Sequence, residues 1–342
     1  MHITKKWKSI LLLLGFFLVL GVGEQLGWLE FSFGSWVVSQ DDRVEHARHY
    51  ENITGTLLIW PWDVWKYFSD ALSQTQNILY LETYDFTEKR VKKIFRDLLA
   101  SGVDIKMIME NKKYRQYKDT FVQVGDDFAD FDNFQLKSDY QMKTKYVHSK
   151  FTLLDNAFWI QTANLNHSSF FKNREYFFVS NNTGVYHSLK TIFEKDRIGA
   201  KIWLEDIHPN LLVCNINCRP VIQDLLSSAT KSIIIETQYI TDDAILQILK
   251  NKARKEDMDI KLILADTDSN TDVLDYFGHH MARTLKKTYN HSKMMLIDGK
   301  TLLLWSMNFS SNSLDHNREL GIILTDQSVI QKFLWQFWKD WK

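Results

Sequence analysis

The chain carries no surplus of charge: among its 342 residues, 42 Lys and Arg balance 42 Asp and Glu. A protein governed by nucleic-acid electrostatics is expected to show a basic excess, so the balance argues against that class, although a local basic groove would not register in the total. Cysteine is scarce. Cys214 and Cys218, four residues apart, are the only two. No His or Cys cluster sits beside them, which argues against a metal site. They read either as a short-loop disulfide, if the body lies outside the cytoplasm, or as two packed thiols. Low-complexity segments and Gly/Ser linkers are missing, so the parts of the chain are expected to pack closely. Long apolar runs are missing too, with one exception at the N-terminus.

That exception is Ile10–Val22, preceded by Lys5, Lys6 and Lys8. A basic flank before a short apolar run has the shape of a signal peptide. The run falls short of the roughly 20 residues a spanning helix needs. Two readings stay open: a signal cut near Gly21-Val22-Gly23, or an uncleaved apolar helix that recruits the aromatic stretch Gly27–Val38. Both keep the lysines in the cytoplasm and the body outside it. Residues 1–23 are thus a targeting segment or anchor and 24–45 a tether. What the chain has in quantity is apolar and aromatic surface, 45% and 14% of residues, with twelve Trp. Core packing accounts for most of this; a membrane-surface role is the second reading.

The most informative pattern occurs twice. His148-Ser149-Lys150 is followed by Asp155, and His291-Ser292-Lys293 by Asp298. Each copy continues to an Asn, Asn164 or Asn308, and then to Asn173-Arg174-Glu175 or Asn317-Arg318-Glu319. The His and Asp pairs stand 143 residues apart, the Asn and Glu pairs 144. Upstream, Ile78–Thr83 resembles Ile233–Thr237, and Asp104–Met109 resembles Asp259–Leu264. The repeat is far longer than a solenoid unit and reads as a duplicated domain. The halves run from about 46 to 205 and from 206 to 342, with Pro209 and Pro220 at the junction.

Apolar β-branched runs alternate with helical stretches such as Glu88–Ala100 and Asp242–Lys255, which argues for an α/β architecture with strands buried on both faces. Each motif reads as a hairpin, Val147–Leu154 with Ala157–Thr162 and Asn290–Ile297 with Lys300–Ser306. Asp298-Gly299 is a strong two-residue turn and Asp155-Asn156 a weaker relative. On a strand, His and Lys two apart share one face. The Asp then sits at the turn, where turn chemistry alone is an alternative to a catalytic role.

These paired motifs resemble those of the phospholipase D superfamily, the HKD phosphodiesterases, over roughly residues 50 to 342. The resemblance implies a duplicated phospholipase D-like α/β fold, two halves with mixed sheets meeting at one central active site. It implies that His148 and His291 are the catalytic pair, with His148 the nucleophile and His291 the acid/base. Lys150, Lys293, Asn164 and Asn308 would bind phosphate, and Glu175 and Glu319 would orient the histidines. Asp155 and Asp298 complete the motif's catalytic set. Family members commonly have Gly-Ser before the Asn; here Thr162-Ala163 and Ser306-Met307 stand there, keeping a hydroxyl but not the Gly.

The residue chemistry supports the same reaction. A neutral imidazole can attack phosphorus and leave again, and a second can protonate the departing alkoxide. Lysines and asparagines supply donors where negative charge gathers. A carboxylate on the far ring nitrogen fixes the tautomer. No metal or cofactor is called for. Among other residues, His279-His280, His167 and His316 read as loop or neighbouring positions, Glu82 and Glu236 as strand ends, and Arg174 and Arg318 as ion-paired scaffolding. The expected substrate is a phospholipid at a membrane surface, by head-group hydrolysis or phosphatidyl transfer, with a monomer sufficient because both motifs lie in one chain. A metal-independent nuclease is the alternative, and an inactive scaffold or binding module the reading from another class.

Overall fold

The computed structural model describes residues 49–61, 64–111, 119–138 and 142–342. The expected targeting segment with its apolar helix, and the tether, lie outside the described residues. Among those described, no helix is long and apolar enough to cross a membrane.

In the first half, β1 (Thr56–Trp60) leads through α1 (Val64–Ser73), β2 (Ile78–Thr83), α2 (Lys89–Ala100), β3 (Asp104–Met109) and α3 (Thr120–Asp127) to β4 (Phe134–Ser138). The hairpin β5 (Phe151–Leu154) and β6 (Ala157–Gln161) follows, then α4 (His167–Phe171), β7 (Asn173–Ser180) and α5 (Thr183–Ile198). The second half begins with β8 (Leu211–Val213), α6 (Cys218–Ser228), β9 (Ser232–Thr237), α7 (Asp243–Ala253) and β10 (Asp259–Leu264). It continues through α8 (Thr271–Met281), β11 (Ala282–Thr284), β12 (Tyr289–Asn290), β13 (Lys293–Ile297) and β14 (Thr301–Trp305). A π-helical turn at Asn312–His316, β15 (Leu320–Leu324) and α9 (Gln327–Trp341) complete it.

The strands form two mixed sheets with one topology. The first is ordered β1-β7-β6-β5-β2-β3-β4, the second β8-β15-β14-β13-β9-β10-β11. In each, the three strands joined through helices pair in parallel and the rest of the order antiparallel, and β12 joins the first sheet beside β7 in parallel. The duplication read from sequence is therefore a duplication of fold.

Both faces of each sheet are covered, which explains the near-continuous apolar strands. Along β14, Leu302 and Leu304 enter the core between the sheets, while Leu303 and Trp305 face the opposite way. The central core takes Leu189, Ile192 and Phe193 from α5 and Ile330, Phe333 and Phe337 from α9. Each such side chain contributes about 1.5–3 kcal/mol by burial, so the two halves share a hydrophobic core rather than touching at an edge. Helices begin where a carboxylate can cap them: Glu88 accepts from Arg90 N and Asp242 from Ile245 N. Cys214 and Cys218, open between two states in the sequence, are joined as a disulfide with Cα atoms 4.8 Å apart.

One expectation needs correction. The motif hairpins do not run unbroken from Val147 and Asn290. β5 starts only at Phe151, and the second motif is split at His291-Ser292 into β12 and β13. The reason is a change of partner. β12 pairs in parallel with β7 of the other half, while β13 pairs with its own sheet. In the first copy Val147 bridges to Arg318 of the other half before β5 joins its own sheet. The chain changes sheets at each motif His, so each ring stands on the seam between the halves.

Candidate active site

Backbone exchange across the seam fixes the two histidines. His148 N donates to Arg318 O at 2.8 Å, and His291 N donates to Arg174 O at 3.2 Å. Each ring then meets a carboxylate of the opposite half: His148 Nδ1 lies 2.8 Å from Glu319 Oε2, and His291 Nδ1 lies 2.7 Å from Glu175 Oε1. Both glutamates are fully buried. Each holds a second donor of its own half, Thr162 Oγ1 to Glu175 at 2.5 Å and Ser306 Oγ to Glu319 at 2.6 Å. The hydroxyl kept in place of the family's Gly-Ser thus orients the residue that orients the ring. Its recurrence at one place in both copies was the available signal.

Burial dominates the electrostatics. It draws the His148 ring down to about 4, with Glu319 opposing and Lys150 assisting, and it lowers His291 in the same way against Glu175. Burial pushes both glutamates up, but their histidine partners and the nearby lysines outweigh it and leave them below the usual carboxylate range. One proton is shared in each pair, and burial decides where it sits: a neutral ring donates Nδ1–H to an ionised carboxylate. That tautomer leaves Nε2 with a free lone pair. Burial also draws Lys150 down to about 7 and Lys293 to about 8. Lys293 acts on His148 and Lys150 on His291, so the two half-sites converge on one centre.

Each lysine Nζ donates to the carbonyl of its own motif His, Lys150 at 2.7 Å and Lys293 at 2.8 Å. Asn164 N donates to Ser169 Oγ at 3.1 Å, and Asn308 Nδ2 donates to the Tyr239 hydroxyl at 3.1 Å. The carboxamide oxygens of both asparagines are buried without a hydrogen-bonding partner among the described residues. Turning either amide over would present N–H donors there instead. Tyr84, absent from the expected set, packs edge-on to the His148 ring at 5.1 Å. It and Tyr239 follow the ends of β2 and β9.

Asp155 and Asp298 are not brought to this centre. Asp155 accepts from the backbone N–H groups of Gln76, Asn77 and Ile78 at 2.8 to 3.0 Å. Asp298 accepts from those of Thr230, Lys231 and Ser232 and from the Thr230 hydroxyl. Both residues have positive φ, 38° and 52°, and Gly299 follows at 67°, as the two-residue turn requires. Their carboxylates are occupied in tying the motif hairpin to the strand beside it. Of the two readings open for these residues, these hydrogen bonds are those of turn chemistry.

The strand-end and arginine residues form a second layer. The Ser149 hydroxyl donates to Glu82, and the Tyr176 hydroxyl donates to Glu236 at 2.7 Å. Arg318 Nη2 pairs with Asp196 at 2.9 Å, and Arg174 grips Asp340 at 2.8 and 2.9 Å. Both arginine pairs cross the seam, in agreement with a scaffolding role. His167 is exposed beside Phe171, and His279-His280 lie in the last turn of α8. Among the described residues no group of three or more His, Cys, Asp and Glu could hold a metal ion.

The duplicated sheets and the shared two-histidine centre define a phosphoryl-handling fold. Residues 68–197 and 222–341 both match the family model described as cardiolipin synthase, PLD-like domain, and the chain belongs to that family. Members of this superfamily are phosphodiesterases or phosphotransferases. A search of curated proteins returns no match. Among solved structures, phosphatidylserine synthase from Haemophilus influenzae Rd KW20 superposes with TM-score 0.66 at 10% identity, over 84% of this chain and 87% of that one. Polyphosphate kinase from Porphyromonas gingivalis gives 0.65 at 13% identity, over 84% of this chain. The match spans only 50% of the kinase chain. Nuc from Salmonella typhimurium, a phospholipase D family member, gives 0.34 at 21% identity, over 38% of this chain and 93% of that one.

Proposed function

We propose that this protein is a phosphodiesterase of the phospholipase D type that acts on phospholipids at a membrane surface through a covalent phosphohistidine. The observation that carries the reading is the pair of buried rings, each with Nδ1 on a carboxylate of the opposite half, sharing one centre with two lysines. His148, held neutral well below pH 7, is the nucleophile. Its Nε2 attacks phosphorus and a P–N bond forms. His291 acts as its imidazolium, with a second proton taken up at Nε2 alongside the anionic phosphodiester; the P–O bond to the departing alcohol breaks, that oxygen takes the Nε2 proton, and His291 returns to the neutral ring. A water or a second alcohol then gives a proton to His291 and attacks phosphorus, and the P–N bond breaks. Lys150, Lys293, Asn164 and Asn308 hold the non-bridging oxygens. Asp155 and Asp298 take no part in these steps.

Three features favour lipid over nucleic acid. The chain has no net charge, it carries twelve Trp, and an apolar run with a lysine flank precedes the body. The family description and the phosphatidylserine synthase likeness support the same substrate class. The N-terminal run would hold the body at the membrane outside the cytoplasm, and the Cys214–Cys218 disulfide favours that side, since such bonds persist in oxidising compartments. One chain supplies both half-sites, so a monomer suffices. The test is to incubate the full chain with labelled phospholipids and, in parallel, with single-stranded and duplex DNA. Release of a head group or formation of a new phosphatidyl ester, lost in His148→Ala, supports the reading. Cleavage of DNA with no change in lipid would replace it with the nuclease alternative.

A further inference from the structure

A cavity of about 920 Å³ opens beside the catalytic centre. One of its walls is Arg174, whose neighbour Glu175 holds His291; successive residues of a strand point to opposite faces, so the cavity and the catalytic centre lie on either side of β7. The cavity lining is cationic, with Arg283, Lys286, Lys287, Lys339 and Lys342. Three carboxylates also line it, but Asp340 is taken by Arg174, and Asp266 lies 3.6 Å from Lys286, leaving Asp275 as the third. In a chain whose charges cancel overall, this is a local excess.

Arg283 is pre-organised. Its Nη1 donates to Trp341 O at 2.7 Å and its Nε to His279 O at 3.1 Å, and the guanidinium lies over the Trp341 ring at 4.6 Å from the centroid. A guanidinium has five N–H donors. Two are spent on backbone carbonyls, and among the described residues no carboxylate pairs with this one. The remaining donors suit a phosphate, which arginine binds in a planar fork.

The helix that closes the cavity carries the second half of the argument. α9 buries Phe333 and Phe337 and shows Trp335 and Trp338 on its other side, 63% and 37% exposed. Lys339 lies on that exposed face, its ammonium 5.0 Å from the Trp335 ring. Single exposed aromatics need no explanation. Two tryptophans interleaved with lysine, on the helix end that lines a cationic cavity, match the two zones of one ligand. Indoles favour the lipid–water boundary, and lysines and arginines favour the phosphates just above it.

We infer that this cavity and the Trp335–Trp338 face of α9 form a second site, which binds the phosphate head group of an anionic phospholipid and seats the body on the bilayer. The inference deepens the lipid reading proposed above and rests on it. The loop that supplies Lys286 and Lys287 runs on into β12 and His291, so the seated lipid surface lies against the half-site that releases the alcohol.

Hydrogen exchange locates the binding. The full chain carrying His148→Ala is reconstituted in nanodiscs of phosphatidylcholine alone or of phosphatidylcholine with phosphatidylglycerol, and inorganic phosphate is added to a third sample in the neutral discs. Peptides spanning 282–290 and 335–342 should exchange about tenfold more slowly in the anionic discs than in the neutral ones. Lys287→Glu and Trp338→Ala, both at exposed positions, should each abolish the difference. Equal exchange in the two kinds of disc would overturn the inference, as would protection that survives both substitutions. Protection of 282–290 by inorganic phosphate, with neither segment responding to anionic lipid, would assign the cavity to a free anion and overturn the lipid source. The His148→Ala chain reads binding without turnover. Failure of the catalytic reading would therefore leave this protection intact, and failure of the inference would leave turnover by the unaltered chain intact.

Discussion

Replacing Glu319 with Gln should disable a histidine that belongs to the other half of the chain. Glu319 is fully buried, and its carboxylate meets His148 Nδ1 at 2.8 Å and Ser306 Oγ at 2.6 Å. Gln keeps the shape and loses the charge. A hydrogen bond to a charged group contributes about 1.5–3 kcal/mol. At about 1.36 kcal/mol per factor of ten, turnover should fall by about 10- to 150-fold if the amide oxygen still faces the ring. If the amide nitrogen faces it, the ring must move its proton to Nε2 and can no longer attack, and the loss should approach the roughly 10⁴-fold seen when a triad carboxylate becomes an amide. Substrate binding should weaken as well. Burial already draws Lys150 down to about 7 with Glu319 opposing, so losing that charge leaves less of the lysine protonated. The assay is turnover of bis(p-nitrophenyl) phosphate, combined with ¹⁵N spectra of the imidazoles. The His148 signals should move and those of His291 should stay. Undiminished turnover, or a response confined to His291, would refute the cross-half pairing.

Other expectations follow from the same geometry. Asp298→Ala should lower stability by about 1.5–3 kcal/mol in denaturant unfolding, the worth of a charged acceptor's hydrogen bond, while turnover per folded molecule is kept; lost turnover with unchanged stability would return Asp298 to the catalytic set. In the free enzyme the ring of His148 must be neutral and His291 must carry its second proton, so kcat/KM should rise through about pH 4 and begin to fall as His291, held below the usual imidazole range by burial, loses that proton, with the loss of the lysine charges at about pH 7 to 8 steepening the fall. A profile still climbing at pH 9 would show that the lysines are not drawn down. Activity should survive EDTA, because two histidines, two lysines and two asparagines supply the needed groups; an absolute requirement for added Mg²⁺ or Zn²⁺ in the chemical step would sink that account.

Much of the site was legible in the sequence because duplication wrote it twice. His148 with His291, Lys150 with Lys293 and Glu175 with Glu319 recur at a near-constant interval, and few accidents do that. The strands around them followed from β-branched runs and the helices from the stretches between, such as Glu88–Ala100 and Asp242–Lys255. The partner of each Glu was not legible. Glu319 lies 171 residues from His148, and local pattern carries no information about which half a strand end will face. The change of sheet at His291 was hidden for the same reason, since Asn290 and Lys293 both have the extended, buried character of one strand. The motif Asp stayed open between two readings because it recurs as faithfully as the His, while a turn that requires positive φ and a carboxylate that ties down three N–H groups are reason enough for its presence. One signal could have been read: Asp196 and Asp340 stand 144 residues apart, the same interval as the Glu pair, and they are the partners of Arg318 and Arg174.

The most direct test of the two-histidine account is to trap the intermediate. His291→Gln leaves the nucleophile in place and removes the group that activates the incoming water. Because the substitution also removes the acid for the departing alcohol, the full-length variant is given a phosphatidyl ester of p-nitrophenol, whose phenolate leaves unprotonated; quenched at alkaline pH, it should carry a phosphatidyl adduct on the peptide containing His148, found by mass spectrometry and discharged by acid. An adduct on no peptide, from a variant that still turns over substrate, would contradict the account.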